Sequence, residues 1–360
     1  MTGKIEERVP INKGNYSMDT PEREARFHEI LGRGWENEYR SYRAAWERNP
    51  KSHTVSEYPL LVDIELASVC NLKCPMCYTI SPEFRQHVKA KLMDVGLFRK
   101  IIDEIAGYVP SVRLSLRGES FLHKKVIDCI RYAKGKGIPE VSSLTNGAKL
   151  KGHFMEEVID AGIDWITVSI DGVGETYERI RKPIRFDEIV GNLRAIKEYK
   201  KRKGLERPVI KVQGVWPAIR EDPQKYYDIF APLADLVAFN PLIDYRTRDE
   251  KVVYVDDFVC PQQYQRLVIG ADGLVMKCSN DEENREVIGD TNIESVHEIW
   301  HGEKMRRVRE QMLKPRGFMQ SPVCRQCYLP RKTVGNEVFT INGQQVTVRN
   351  YVNRSQVIGE

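Results

Sequence analysis

Between residues 60 and 240 six short apolar runs alternate with five longer amphipathic stretches, and this alternation restricts the fold more than any other feature. The apolar runs fall at 61–66, 112–116, 141–144, 165–170, 209–215 and 236–240, and helical periodicity fills about 95–108, 123–137, 151–162, 186–203 and 223–233. Repeated strand and helix is the pattern of parallel strands joined by helical crossovers, so an α/β fold is expected, as a curved partial barrel or an open sheet. In both, ligands collect beyond the C-terminal ends of the strands. The first four predicted strands end in polar residues suited to that place: Ser68 and Cys70, Arg117-Gly118-Glu119, Thr145-Asn146-Gly147 and Asp171-Gly172.

The flanks read differently. Residues 1–57 are polar and helix-prone, without a strand pattern, and are expected to form one or two helices leaning on the main domain. After about residue 245 the alternation stops. Gly-Ala-Asp-Gly between two short apolar stretches makes 265–277 a hairpin, 293–313 reads as one helix, and Asn342-Gly343 marks a hairpin within 338–348. The expected organisation is 1–57 N-terminal helical extension, 58–245 main α/β domain, 246–335 smaller domain and 336–360 hairpin tail.

At 360 residues and 41% hydrophobic, the chain can bury a substantial core. Its 56 basic and 51 acidic residues leave a net charge of +5, too small an imbalance to imply nucleic acid. The basic run 197–203 closes a helical pattern, where cations suit the helix dipole and solvent. No apolar run is long enough for a membrane span and the N-terminus lacks a signal-like stretch, so no membrane association and a cytoplasmic location are expected.

In such a compartment eight cysteines are more readily ligands or catalysts than disulfide partners. Cys129, in an amphipathic helical pattern, reads as a buried structural residue. The other seven form two groups. Cys70, Cys74 and Cys77 share one loop, Cys-Asn-Leu-Lys-Cys-Pro-Met-Cys-Tyr. That spacing can direct three thiolates at one iron-sulfur cube and leave its fourth iron open for chemistry. A structural zinc site would want a second pair to close its tetrahedron, which this loop lacks.

These residues resemble the signature of the radical S-adenosylmethionine enzymes, and the resemblance runs from about 60 to 329. Tyr78 follows the third cysteine as that family's aromatic does. Arg117-Gly118-Glu119-Ser120 resembles its Gly-Gly-Glu segment with Arg in place of the first glycine, and Ser169-Ile170-Asp171-Gly172 resembles its Ser-Xaa-Asp-Gly segment. The resemblance implies a partial (β/α)6 barrel with a smaller C-terminal twitch/SPASM-like domain. It implies that Cys70, Cys74 and Cys77 hold a 4Fe-4S cluster whose open iron is chelated by S-adenosyl-L-methionine. One electron then cleaves the sulfonium, and the 5'-deoxyadenosyl radical abstracts a substrate hydrogen. In this scheme Gly118 lies in the cofactor loop, Tyr78 backs the adenine and Glu119 receives the amino group. Ser169 and Asp171 lie near the ribose or carboxylate, with Asn146 close by, and Arg179 or Arg181 meets the carboxylate as a planar fork. The bland readings are tight turns for Gly118 and Gly147 and a helix cap for Asp171. The Arg117 side chain is expected to need room beside the cofactor.

In the second group, seventeen residues containing the first hairpin separate Cys260 from Cys278, and Cys324 and Cys327 follow as a tight pair. Four thiolates in two pairs suit zinc or a fully ligated iron-sulfur cluster. The pattern resembles the auxiliary-cluster domains called SPASM and twitch, the count matching the shorter twitch version. The spacing is similar to that of dehydrogenases that oxidise an aminocyclitol alcohol. The resemblance implies a second, fully ligated 4Fe-4S cluster that accepts an electron, its potential set in part by Lys277 and Arg325.

A carbon radical beside a hydroxyl becomes a ketone on losing a proton and one electron. The expected reaction is therefore oxidation of a secondary alcohol on a carbohydrate or aminocyclitol, with a flavodoxin or ferredoxin as external reductant. Substrate contacts are expected at 240–248, with Asp244 and Arg246 as the catalytic candidates. Sugar epimerisation is the close rival, but its hydrogen-donating thiol would have to be Cys129. Peptide modification is the other, and 1–57 lacks the strand pattern of a winged-helix peptide-binding domain. The non-enzyme reading is a zinc-stabilised scaffold in which both cysteine groups are structural.

Overall fold

The structure, a computed structural model, describes residues 8–241, 252–352 and 358. After a short β1 (Tyr16–Ser17) come two helices, α1 (Pro21–Gly32) and α2 (Glu36–Ser52). Thr20 caps α1 by accepting from the Arg23 amide, and Pro21 takes the first position, where no N–H is needed. Tyr39, Tyr42 and Trp46 recur at helical spacing on α2 and so share one face. They meet Phe27, Ile30 and Leu31 of α1 in an apolar cluster that includes Leu60, Leu61 and Val209 at the starts of strands. The two helices thereby cover the N-terminal end of the main sheet.

Six parallel strands follow in chain order: β2 (Leu61–Ile64), β3 (Ser111–Arg113), β4 (Glu140–Thr145), β5 (Trp165–Ser169), β6 (Val209–Val215) and β7 (Leu236–Asn240). Their crossovers carry α3 (Pro82–His87), α4 (Val95–Ile105), α5 (Val126–Gly135), α6 (Gly152–Asp160), α7 (Glu175–Ile180), α8 (Phe186–Lys203) and α9 (Pro223–Phe230). α4 illustrates how these helices dock. Asp94 caps it through the Leu97 amide, and Phe98, Ile101, Ile102 and Ile105 form the buried stripe.

The strands between 266 and 290 do not build a sheet of their own. β8 (Arg266–Ile269) pairs in parallel with β2, and β9 (Leu274–Met276) and β10 (Val287–Asp290) continue as an antiparallel meander. With β1 antiparallel on β7, the sheet has ten strands in the order β1-β7-β6-β5-β4-β3-β2-β8-β9-β10. The physical reason is the edge of β2, whose unpaired backbone groups offer a template for a further strand.

The helix expected over 293–313 is two, α10 (Val296–His301) and α11 (Glu303–Met312). Gly302 between them is extended, at φ −62° and ψ 161°. Beyond them lie α12 (Pro322–Gln326) and an antiparallel pair, β11 (Thr333–Ile341) and β12 (Gln344–Tyr351). Asn342 and Gly343 turn that hairpin with positive φ, 50° and 74°, as a two-residue turn matched to strand twist requires. The hairpin packs at the β1–β7–β6 edge of the sheet: Phe339 stacks on Trp216, just past β6, at 4.6 Å between ring centroids, the Arg349 amide donates to the Tyr16 hydroxyl, and Ile341 and Val348 join the main core. Among the described residues no helix is long and apolar enough to cross a membrane.

Candidate functional site

The loop after β2 carries the first three cysteines. Its root is pinned where the Ser68 amide donates to Lys91 O and the Lys91 amide returns a bond to Ser68 Oγ at 2.8 Å. The turn after β3 crosses directly against this root. Gly118 has φ +66°, and a Cβ there would lie 2.4 Å from Ala67 O and 2.6 Å from Val69 O, so only glycine permits the approach. The Glu119 amide then donates to Val69 O at 2.8 Å. Within the loop the Cys77 amide donates to Cys74 O, and the Leu72 amide points at Cys70 Sγ at 3.4 Å.

Each thiol faces a different neighbour. Asn146 Nδ2 stands 3.8 Å from Cys70 Sγ and donates to Asn71 Oδ1 at 2.9 Å. Cys70 is exposed, Cys77 half-buried with Thr79 Oγ1 at 3.0 Å, and Cys74 buried. Burial pushes the Cys74 thiol up to about 11, a shift that Arg181 opposes and Asp171 reinforces.

The strand-end carboxylates are both buried and both engaged. Glu119 Oε1 accepts from Thr145 Oγ1 at 2.8 Å and from the Phe121 amide, and Oε2 accepts from the Asn146 amide at 2.8 Å. Burial raises its pKa, and those donors and Arg181 only partly offset the effect. Asp171 does not cap the next helix, since Gly174 holds the cap position of α7. Its Oδ2 instead takes two N–H groups of Arg181, Nε at 2.7 Å and Nη2 at 2.6 Å, while Oδ1 accepts from the Val215 amide. The fork expected to meet a ligand carboxylate is thus held by Asp171. Ser169 ends β5 beside Gln213 of β6, half-exposed. Gly147 has φ +78°, the turn its bland reading anticipates.

In the second group Cys260, Cys278, Cys324 and Cys327 are all buried. Burial raises each thiol, and Cys278 is driven well above its usual range by burial and then by Cys260, Cys324 and Cys327 around it. Asn280 Nδ2 donates to Cys327 Sγ at 3.1 Å, and the Leu329 amide points at the same sulfur at 3.4 Å. Lys277 is buried against Cys324, Glu286 and Cys278. Arg325, expected beside these thiols, is exposed on α12; the buried guanidinium is that of Arg331, donating to the carbonyls of Cys327 and Gln326.

A seam joins the two groups. Arg117 grips Glu65 with two 2.7 Å bonds and uses Nη1 on Glu282 O and Asn284 Oδ1, just past Cys278. Its side chain therefore turns into the seam and takes no room among the strand-end groups. Tyr78 lies at the same seam, edge-on to Phe84 at 5.7 Å, with Glu282, Arg117 and Glu65 around its hydroxyl. Beside it opens a cavity of about 330 Å³ lined by Tyr78, Glu83, Asp281, Arg285 and Cys327. Sequence reasoning missed Glu65, Asn280 and Arg331; their partners are distant along the chain, although an acidic residue within an apolar run was a signal at Glu65. Asp244 and Arg246 lie outside the described residues.

These sites suit iron-sulfur clusters. Mutually facing buried thiols need a cationic centre to ionise beside one another, and N–H groups aimed at sulfur are the usual support of such centres. Among the described residues no three His, Cys, Asp or Glu side chains crowd tightly enough to enclose a single ion. Thiolates on separate irons of a cube need not crowd in that way. Glu119, buried and with no ion pair to its carboxylate among the described residues, suits an ammonium group beside Cys70.

The radical SAM superfamily matches residues 64–213, and the iron-sulfur cluster-binding SPASM domain matches 260–328, a span that opens on Cys260 and closes just past Cys327. The cofactor-modifying protein of the tungsten-containing aldehyde ferredoxin oxidoreductase of Pyrococcus furiosus is 29% identical over 147 residues, 36% of this chain and 39% of that protein. Pre-heme d1 synthase of Dinoroseobacter shibae is 29% identical over 146 residues, 38% of this chain and 32% of that one. The matched part thus spans well under half of these relatives. Among solved structures, BtrN in complex with AdoMet and 2-DOIA superposes with a TM-score of 0.53 at 17% identity, covering 81% of this chain and all of that one. Native anSMEcpe with bound AdoMet gives 0.55 at 15% identity, covering 74% and 87%. At such identities the likeness speaks for the fold. The chain belongs to the radical SAM enzymes that carry a C-terminal SPASM iron-sulfur domain, and its cofactors are S-adenosylmethionine and 4Fe-4S clusters.

Proposed function

We propose that the chain oxidises a secondary alcohol of a carbohydrate or aminocyclitol. The observation that carries this reading is the enclosure of Cys260, Cys278, Cys324 and Cys327. Four cysteines on four irons leave no position where substrate could bind, so the site's use is electron transfer. When bound, S-adenosylmethionine on the first cluster supplies hydrogen abstraction, and the second cluster accepts one electron. Cys70, Cys74 and Cys77 hold the first cluster, Glu119 receives the ammonium group, and Asn146 lies close to Cys70. Asp171 keeps Arg181 positioned near Cys74, with part of the guanidinium left for an anionic group. Lys277 and Asn280 favour the more negative, reduced form of the second cluster by charge and hydrogen bond. BtrN, whose structure holds 2-DOIA with AdoMet, shares the fold and motivates the substrate class.

Epimerisation is the weaker reading, because Cys129 is buried in α5 behind the sheet and burial pushes its thiol up to about 12. Incubation of reduced, cluster-loaded protein with S-adenosylmethionine and a panel of aminocyclitols and sugars tests the proposal. The expected result is 5'-deoxyadenosine together with a product lighter by two hydrogens. 5'-Deoxyadenosine formed with an epimer, or only with a peptide substrate, would remove it.

A further inference from the structure

A second cavity, of about 260 Å³, lies at the opposite end of the strands, and none of the cysteines, Glu119, Asn146 or Asp171 lines it. Its wall comes from the first residues of the strands, including Leu61, Ser111 and Arg266, from Tyr42 and Trp46 of α2, and from positions further along β4, β5 and β6, up to Leu144, Thr167 and Gln213. That part of a barrel is ordinarily filled by layers of side chains. Here it carries charge instead.

The lining carries four cationic side chains, Arg43, Arg113, Lys211 and Arg266, and one carboxylate, Glu140. Asp63 is shared by Arg113, at 2.8 Å, and Arg266, at 3.2 Å. Glu140 accepts from Ser111 Oγ at 2.7 Å, and burial raises its pKa. Arg43 lies over the rings of Tyr42 and Trp46. Lys211, midway along β6, has no hydrogen-bond or ion-pair partner among the described residues, and Glu24 of α1 is the charge that bears on it. Two more donors on the lining residues are buried and without a partner among the described residues, Arg266 Nε and Trp165 Nε1.

Unspent buried donors with a surplus of positive charge are costly unless an acceptor joins them. We propose that this cavity is a second ligand site, which binds the oxyanionic group, phosphate or carboxylate, of a small molecule through Lys211, Arg266 and Trp165. It shares no lining residue with the cysteine groups, Glu119, Asn146 or Asp171, and does not depend on the reaction proposed above. Lys211 is lowered by burial to about 8, so it is charged at neutral pH and loses its charge just above. Anion affinity should therefore fall as pH rises through 8 to 9.

Calorimetric titration of the full, cluster-loaded chain tests this with inorganic phosphate and malonate as probes and glycerol as the uncharged control. The expected result is saturable one-to-one binding of phosphate or malonate at pH 7, the tighter of the two identifying the oxyanion. It should weaken by about tenfold or more in Lys211→Met and measurably in Trp165→Phe, which keeps the ring and removes the donor. No binding of either anion, equal binding of glycerol, or affinity unchanged in both variants would overturn the site.

Discussion

Arg117 and Glu65 face each other as a two-point ion pair, with Nε and Nη2 each 2.7 Å from a carboxylate oxygen and both side chains 1% exposed. Glu65 lies just beyond β2 and also accepts from the Ala271 amide in the β8–β9 turn, while Arg117 reaches Glu282 and Asn284. One pair thus ties the strand leading to the first cysteine loop to the segment following Cys278. A buried pair broken on one side leaves an uncompensated charge. Arg117→Met and Glu65→Met should each cost about 3–5 kcal/mol in urea unfolding, while the double substitution recovers much of it. Additive losses would show that the two residues act independently.

Gly118→Ala tests the close approach behind the cysteine loop. The added methyl would lie 2.4 Å from Ala67 O in a backbone conformation, φ +66°, that alanine resists. The clash falls on Ala67 O and Val69 O at the root of the first loop, so Cys70, Cys74 and Cys77 should lose their arrangement while the second group keeps its own. Anaerobic iron and sulfide analysis should fall from about eight irons per chain to about four. Retention of all eight would show that the loop tolerates the shift.

The second group should separate electron acceptance from the first half-reaction. Cys278→Ser should bring iron to about four per chain, preserve cleavage of S-adenosylmethionine and abolish any oxidised product. Asn280→Leu keeps all four thiols but removes the 3.1 Å hydrogen bond to Cys327 Sγ. Hydrogen bonds to cluster sulfur favour the reduced form, so the potential of that cluster should become more negative, as read by anaerobic redox titration followed by electron paramagnetic resonance. An unchanged potential would assign Asn280 to loop structure alone.

What the sequence made legible follows local physics. β6 (Val209–Val215), β7 (Leu236–Asn240) and α8 (Phe186–Lys203) lie where their apolar periodicity places them, because each is decided by its own pattern and by burial on the sheet. The cysteines are equally legible, being fixed by spacing. The joining of β8 to β2 is not, since Leu61 and Arg266 are far apart in the chain and backbone pairing carries no side-chain signature. Gly302 was hidden for another reason: amphipathic periodicity continues across it, while a Cβ there would lie 2.8 Å from Glu298 O. Arg117 looked like a local departure from a glycine segment, and its meaning lies in Glu65, which no spacing rule connects to it.

Lys211 gives a stability signature with a definite sign. Burial lowers its folded-state pKa to about 8 from an ordinary lysine value of 10.5, with Glu24 opposing slightly. Below pH 8 both folded and unfolded chains carry the proton, so the fold bears the cost of a buried ammonium; between 8 and 10.5 the unfolded chain binds more proton than the folded one, and stability rises with pH. Lys211→Met removes that cost, and its stabilisation at pH 7 should be roughly 1–3 kcal/mol, the lower end allowing for the partial exposure of the residue. Thermal unfolding in buffers free of oxyanions should show the gain over the parent chain shrinking from pH 8 to pH 10. A gain that stays constant across that window would mean that the amine is solvated and that its charge carries no penalty in the fold.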